Sequence, residues 1–205
     1  MAEYVYREAK GKPGAPLLVV FHGTGGDENQ FFDLGSELLA GGRIVAPRGN
    51  VSEGGALRYF RRTGEGRYDM ADLALRTAQM AQFVRARVAE DRPAQVMGLG
   101  YSNGANILAS VLFAAPELFD AAVLMHPLIP FEPPAAGGLT GRRVLLTAGR
   151  RDPIAPAAAT DKLADYFIRQ GAAAELFWHD GGHELRAEEM RETQRFIAAA
   201  TNMGA

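Results

Sequence analysis

The sequence of 205 residues contains no cysteine. The chain therefore cannot form a disulfide or a thiolate metal site, which fits a protein of a reducing compartment. No apolar run approaches the ~20 residues that a membrane-spanning helix needs, and the first ten residues lack the apolar core of a secretory signal. We expect a cytoplasmic protein without a membrane span.

A concentration of positive charge is also lacking. The net charge is −2 at pH 7, and the 22 lysine and arginine residues are spread along the chain. Nucleic-acid binding needs a positive surface field, so no nucleic-acid partner is expected. The length suits one domain with a substantial core and is too short for two ordinary domains. We expect a single domain over residues 1–205, with a homodimer among the oligomeric states that the sequence leaves open.

Seven short apolar or alternating runs predict β-strands, and most of them are continuously apolar. Strands buried on both faces have this pattern, and helical patterns lie between the runs. The sequence therefore predicts an α/β fold, with a mainly parallel sheet of about seven strands and helices on both faces. The predicted strands are residues 4–7, 17–21, 43–46, 94–99, 121–125, 144–148 and 175–178. The predicted helices are residues 30–39, 70–89, 105–115, 157–170 and 184–200, the second capped by Asp69.

Two connections, residues 48–68 and 127–142, are longer and less regular than the others. Both should leave the carboxyl-terminal side of the sheet, where open α/β sheets bind ligands. Neither is long enough for a separate lid domain. We expect a shallow site with a small cap and no large lid.

One motif of the type G-x-S-x-G spans Gly100, Ser102 and Gly104, between a strand-like run and a helical pattern. In a nucleophile elbow the chain turns so sharply that the positions two before and two after the serine have no room for side chains. Both positions are glycine here. The motif predicts Ser102 as a catalytic nucleophile.

A serine hydroxyl needs a base to take its proton, and the base needs an orienting acid. In α/β-hydrolases the order is serine, acid, histidine, each on a loop after a strand. Asp152 and His183 meet both conditions. Asp180 is the competing acid, but no strand separates it from His183. Three other histidines fit the position of the base less well: His22, His126 and His179.

An oxyanion is stabilised by two backbone N–H groups, one of them from the residue after the nucleophile, Asn103. The second should come from the glycine-rich loop after the strand at residues 17–21, and Thr24 is the candidate. A phosphate-binding loop is the alternative for this segment, but no Gly-Lys-Ser/Thr follows its glycines.

No metal or cofactor is expected. His179 and His183 have the spacing of a helical zinc pair, but the two glycines between them argue against a helix. Residues 98–103 resemble a dinucleotide-binding fingerprint, but its third glycine is replaced by Asn103.

Arginine and aromatic residues are interleaved in the first long connection, at residues 58–62. Such a charged run is often a solvated surface, and that interpretation stays open. Alternatively, on the catalytic side of the sheet it would form a pocket with an apolar wall and a cationic end, suited to small esters with a second acidic group. The candidate substrate contacts are Arg58, Phe60, Arg61 and Arg62, together with Leu128, Ile129 and Phe131 as part of an acyl wall.

With these residues in place, the chain resembles the phospholipase/carboxylesterase family of α/β-hydrolases, which includes acyl-protein thioesterases and small bacterial carboxylesterases. The resemblance covers nearly the whole chain. Three further segments are similar to a bacterial branch of hydrolases linked to quinone and other chemical stress: residues 47–50, 58–62 and 102–106. The matching segments for the family are residues 21–28, 100–106, 149–154 and 181–184.

The resemblance implies a serine carboxylic-ester hydrolase that acts on small soluble esters through an acyl-enzyme and needs no cofactor. It implies Ser102 as nucleophile, His183 as base, Asp152 as acid, and Thr24 and Asn103 as oxyanion donors. Acyl-protein thioesterases usually carry glutamine where this chain has Asn103, so protein deacylation is not carried over. The alternatives are thioesterase or lysophospholipase activity, and a non-catalytic protein of this fold that binds a small molecule.

Overall fold

The computed structural model describes residues 4–202. Within this range the strands of the main sheet are β1 (Tyr6–Ala9), β2 (Leu17–Phe21), β3 (Arg43–Pro47), β8 (Val96–Tyr101), β9 (Ala121–Met125), β10 (Arg143–Gly149) and β11 (Ala173–His179). Their spatial order is β1-β3-β2-β8-β9-β10-β11. Strand β1 pairs antiparallel with β3, and the other neighbouring strands pair in parallel. The helices are α1 (Phe32–Leu38), α2 (Met70–Asp91), α3 (Asn103–Ala114), α4 (Ala157–Arg169) and α5 (Ala187–Asn202), with a 3₁₀ turn at Pro116–Leu118.

The continuous apolar pattern of the strands has a simple structural cause. In β2, Leu17, Val19 and Phe21 face one core, whereas Leu18 and Val20 face the other. Helices cover both faces of the sheet, so both sets of side chains are buried. The predicted α/β architecture with a mainly parallel sheet is confirmed.

The predicted elements exist, and their ends differ by a few residues. The first strand begins at Tyr6 instead of residue 4, and the last helix begins at Ala187 instead of residue 184. Helix α3 begins directly after Ser102, two residues earlier than the hydrophobic spacing indicated. The predicted cap of α2 is present, since the Asp69 side chain accepts a hydrogen bond from the Asp72 backbone N–H at 3.1 Å.

The connection at residues 48–68 is more regular than predicted, because it contains two small hairpins. Strands β4 (Val51–Glu53) and β5 (Ala56–Arg58) form the first hairpin, and β6 (Arg62–Gly64) and β7 (Arg67–Tyr68) form the second. Strands of two or three residues are too short to show an alternating pattern. The pair Gly54 and Gly55, both with positive φ, could have indicated a hairpin turn in the sequence.

The hairpins are held over the carboxyl-terminal edge of the sheet by Tyr59, which is fully buried. Its hydroxyl donates to the Pro47 carbonyl at 2.8 Å and accepts from the His22 N–H at 3.1 Å. Nowhere between residues 4 and 202 does a helix have the length and apolar character to cross a membrane.

Candidate active site

Ser102 lies in the sharp turn between β8 and α3. Its φ is 50°, a left-handed value that is rare for residues other than glycine. A Cβ atom on Gly100 would lie 2.6 Å from the Gly104 carbonyl carbon, and one on Gly104 would collide with the Phe21 carbonyl oxygen. Both glycines are therefore required sterically, and the turn has the geometry of a nucleophile elbow.

The structure brings Ser102, His183 and Asp152 into one hydrogen-bonded chain. The Ser102 Oγ lies 2.9 Å from His183 Nε2, and His183 Nδ1 lies 2.7 Å from Asp152 Oδ2. Asp152 follows β10 and His183 follows β11, which is the order expected from the sequence. The side chain of His183 is 16% exposed, whereas that of Asp152 is fully buried.

The carboxylate of Asp152 is saturated with hydrogen bonds. Its Oδ1 accepts from the backbone N–H groups of Ile154 at 2.8 Å and Ala155 at 2.9 Å. Its Oδ2 accepts from His183 and, at 2.9 Å, from His126 Nδ1. Burial alone would raise the pKa of Asp152, but the two imidazoles and the two amides hold it well below its usual range.

A buried polar network lies behind Asp152, and no pattern in the sequence indicated it. His126 follows β9, and its Nε2 lies 3.2 Å from a carboxylate oxygen of Glu189 on α5 and 3.3 Å from His179 Nε2. Glu189 also accepts a hydrogen bond from the Thr147 hydroxyl on β10. The side chains of His126, His179 and Glu189 are all fully buried.

His126 is held between two carboxylates. Burial opposes its charge, but the hydrogen bonds to Asp152 and Glu189 outweigh that effect and raise the pKa of His126 to about 9. Burial likewise opposes the charge of Glu189, whose pKa is nevertheless lowered, chiefly by the hydrogen bond to His126. At neutral pH, His126 is therefore an imidazolium between two anions.

This charge makes the stability of the fold depend on pH. A histidine pKa raised from 6.5 to about 9 on folding contributes stability that is complete below pH 6.5 and lost as the pH rises through about 9. At 1.36 kcal/mol per pKa unit the contribution is about 3 kcal/mol. We expect the free energy of unfolding, measured by urea denaturation, to fall by about that amount between pH 6.5 and 9.5.

The His126→Asn variant is the control, because it lacks the titrating group. Its free energy of unfolding should be nearly constant over the same interval. Equal urea midpoints of the wild-type protein at pH 6.5 and 9.5 would contradict the charged state assigned to His126.

Two sets of side chains bring metal-ligating atoms within 4.8 Å of one another: His126, His179 and Glu189, and His126, Asp152 and His183. Every imidazole nitrogen in these sets already has a hydrogen-bond partner, including His179 Nδ1, which accepts from the Gly181 N–H. We therefore interpret both sets as hydrogen-bond networks. Asp180, the competing acid, is 86% exposed and belongs to neither set.

Thr24 and Asn103, the predicted oxyanion donors, both line the cleft that contains Ser102. Asn103 is the first residue of α3, so its N–H has no intrahelical acceptor and belongs to the positive end of the helix dipole. The Asn103 side chain accepts from the Tyr59 N–H at 2.8 Å. The Thr24 hydroxyl accepts from Arg58 Nη1 at 3.0 Å.

The cleft has a volume of about 470 Å³. Of the predicted substrate contacts, Arg58, Arg62 and Leu128 line it. Residues that the sequence did not indicate also line it, among them Tyr68, Tyr101, Asn106 and Ile154.

The other predicted contacts lie elsewhere. Phe60 is fully buried and packs edge-on against Tyr68, with ring centroids 4.7 Å apart. Arg61 is exposed, and its backbone N–H donates to Asp72. Ile129 and Phe131 line a separate groove of about 700 Å³ against α4. The structure therefore brings neither these aromatic residues nor Ile129 to Ser102.

Asn106 and Tyr68 position the wall of the cleft. Asn106 donates to the Tyr68 hydroxyl at 2.8 Å and accepts from the Leu128 N–H at 2.7 Å. The Tyr68 hydroxyl donates to the Leu128 carbonyl at 2.6 Å. Asn106 lies one helical turn after Ser102. This spacing in the sequence could have indicated that Asn106 is near the site.

The cleft has a charged end at Arg58 and Arg62, and Glu65 lines the cleft as well. The guanidinium of Arg58 is 3.3 Å from the Glu53 carboxylate, which also pairs with Arg62 at 2.8 Å. Arg58 is 5% exposed, and burial together with the charge of Arg62 lowers its pKa. Two guanidinium groups thus share one carboxylate at this end.

The family model described as the dienelactone hydrolase family matches residues 2–202. The chain belongs to this family. A protein of unknown function from Agrobacterium tumefaciens str. C58, Atu2452, has a similar structure, with a TM-score of 0.93 and 55% identity over 96% of this chain and 97% of that chain. The Bacillus cereus carboxylesterase has a TM-score of 0.92 and 33% identity over 97% of this chain and 95% of its own.

The Bacillus subtilis (strain 168) protein MhqD, which is named as a hydrolase, is 34% identical over 186 residues, covering 90% of this chain and 93% of its own length. These comparisons confirm the α/β-hydrolase fold and the resemblance to bacterial carboxylesterases. This dienelactone hydrolase family member is a hydrolase of the carboxylesterase type.

Proposed function

We propose that the protein is a serine carboxylic-ester hydrolase that forms an acyl-enzyme on Ser102. The observation that supports this most directly is the hydrogen-bonded chain from Ser102 Oγ through His183 to Asp152, at 2.9 and 2.7 Å. His183 is partly exposed to the cleft, so a substrate can reach the serine and the base together.

In this mechanism His183 Nε2 takes the Ser102 proton while Oγ attacks the ester carbonyl carbon. The negative charge on the carbonyl oxygen is stabilised by the N–H groups of Thr24 and Asn103. The protonated His183 then gives its proton to the leaving alkoxide, and the C–O bond of the ester breaks. Water attacks the acyl-enzyme with the same base, and the carboxylic acid leaves.

Two measurements test the proposal. A p-nitrophenyl ester of a short acid should give a burst of one p-nitrophenolate per protein before steady turnover. A fluorophosphonate should stop the reaction and add its mass to the peptide that contains Ser102. No burst and no adduct would favour the non-catalytic alternative. A panel of oxygen esters, thioesters and lysophospholipids of graded acyl length then separates the carboxylesterase from its two enzymatic alternatives.

The substrate class we propose is a small ester that carries a second anionic group. Arg58 and Arg62 line the cleft with Ser102 and have a single carboxylate, Glu53, between them. A guanidinium binds a carboxylate through two parallel hydrogen bonds and stays charged when partly desolvated.

We expect Arg58→Ala to raise KM for an anionic ester, such as a hemisuccinate, by about 10- to 100-fold, since a charged hydrogen bond contributes about 1.5–3 kcal/mol. KM for a neutral ester of equal length should change less than threefold. Initial rates over a range of substrate concentrations measure both. Arg61→Ala is the matched control, because Arg61 is exposed and does not line the cleft. Equal effects of Arg58→Ala on the two esters would contradict the substrate class.

A further inference from the structure

The acid of the proposed triad binds two histidines with the same oxygen. Asp152 Oδ2 lies 2.7 Å from His183 Nδ1 and 2.9 Å from His126 Nδ1. Both imidazoles must donate to this carboxylate, and their ring centroids are 5.1 Å apart. His126 lines the cleft, but its side-chain hydrogen bonds lead to Asp152 and Glu189 and not to Ser102, so we place its effect on the base at Asp152.

The hydrogen bonds indicate where the protons of the network are. His179 Nδ1 accepts from the Gly181 N–H, so its proton is on Nε2, which lies 3.6 Å from Glu189 Oε2. Glu189 accepts from the Thr147 hydroxyl and from the Arg186 N–H, so its carboxylate acts as an acceptor throughout. A proton on His126 Nε2, directed at Glu189, gives the buried carboxylate a cation at 3.2 Å.

We propose that His126 is a positioning residue, an imidazolium between Asp152 and Glu189 that holds the Asp152 carboxylate toward His183. The inference rests on the proposed function. The groups that face His126 are Asp152, His183, His179 on β11, Glu189 on α5 and Tyr101 on β8, and Glu184 adds a further carboxylate near Tyr101.

The consequence concerns the pH range over which Asp152 is held in place. His126 carries its charge below its raised pKa of about 9 and loses it as the pH rises through that value. Without that charge, the attraction that holds the Asp152 carboxylate is weaker. The kcat/KM of the wild-type protein for a neutral ester should therefore fall, by less than about tenfold, as the pH rises through about 9.

His126→Asn tests the charge while preserving the hydrogen bond. Asparagine places an N–H donor where His126 has Nδ1, carries no charge, and tolerates the φ of 51° at this position. We expect the fall in kcat/KM near pH 9 to disappear in this variant, because the titrating group is absent. The rate at pH 7 should be lower than that of the wild type by less than about tenfold, since the Asp152 contact remains. A double variant, His126→Asn with Glu189→Gln, should also lack the fall, without leaving a lone buried carboxylate.

Thr193→Val is the matched control. Thr193 is fully buried on α5, one turn after Glu189, and its hydroxyl has no hydrogen-bond partner among residues 4–202. Its replacement changes the packing of the same helix face but not the charge beside Asp152. The pH profile of kcat/KM for this variant should coincide with that of the wild type, including the fall near pH 9.

A second readout does not depend on turnover. The chain has four histidines, so the imidazole ¹⁵N spectrum is simple. His126 should show two protonated ring nitrogens at pH 7 and titrate near its raised pKa of about 9. In Glu189→Gln the midpoint of that titration should fall by at least about one pH unit, because one of the two anions is gone.

A fall in kcat/KM near pH 9 that persists in both His126 variants overturns the inference, and so does a single protonated ring nitrogen on His126 at pH 7. Loss of the fall in Thr193→Val would also overturn it, because packing alone would then account for the effect. Failure of the proposed function would instead appear as a missing acyl burst in the wild-type protein, and the spectrum of His126 could still be measured there.

Discussion

Ser102→Ala should lower kcat/KM for a short-chain ester by about 10⁴- to 10⁶-fold. The hydroxyl is the atom that would bond to the acyl group, and no other hydroxyl lies within hydrogen-bond distance of His183 Nε2 among the described residues. Alanine also carries a Cβ, so residue 102 must adopt the same left-handed φ of 50° with a side chain in both the variant and the wild-type protein. Steady-state rates with p-nitrophenyl acetate measure the loss, and circular dichroism checks the fold.

Ser110→Ala is the matched control for this experiment. Ser110 lies on α3, is 6% exposed, and donates only to the Asn106 carbonyl at 2.8 Å. Its replacement removes a hydroxyl from the same helix without touching the cleft, and the activity should stay within about threefold. A Ser102→Ala variant with activity close to the wild-type value would exclude Ser102 as the nucleophile.

The positions of Ser102, Asp152 and His183 could be predicted from the sequence because each depends on local rules. The elbow needs two glycines for steric reasons, and those glycines are visible in the sequence. The other two residues follow strands, and parallel strands end at the same edge of the sheet. Chain order alone was therefore enough to place three distant residues at one edge.

The network behind Asp152 could not be predicted in this way. His126 and Glu189 are 63 residues apart, and their contact depends on how α5 packs against the sheet. Neither residue belongs to a motif. The sequence pattern around Glu189 is typical of a polar position in an amphipathic helix, although its side chain is fully buried.

The role of the arginine and aromatic stretch at residues 58–62 could be predicted only in part. The pattern indicated a pocket wall but not which side chains face it, because β5 and β6 are too short to fix a register from alternation. Arg58 and Arg62 line the cleft, whereas Tyr59 and Phe60 between them are fully buried. The hydrogen bonds of Tyr59 to β3 and to His22 decide this orientation.

Asp152→Asn should lower kcat/KM by about 10³- to 10⁴-fold and also destabilise the fold. The oxygen of the introduced amide would face the N–H groups of Ile154 and Ala155, which leaves its NH₂ group toward both histidines. His183 would then have to accept at Nδ1 and carry its proton on Nε2, where it cannot take the Ser102 proton. His126 would lose one of its two anions, so we expect a loss of about 3 kcal/mol or more in the free energy of unfolding.

Comparison of Asp152→Asn with two other variants should distinguish its effect on the rate from its effect on the free energy of unfolding. Asp180→Asn changes an acid that is 86% exposed, so both the rate and the urea midpoint should stay near the wild-type values. Combining Asp152→Asn with His126→Asn and Glu189→Gln removes the imidazolium together with its remaining anion, so part of the stability should return while the rate stays low, because the wrong tautomer of His183 persists. A triple variant no more stable than Asp152→Asn would show that the lost stability does not come from the charge on His126. If Asp180→Asn lowered the rate more than Asp152→Asn did, Asp180 and not Asp152 would be the acid that orients His183.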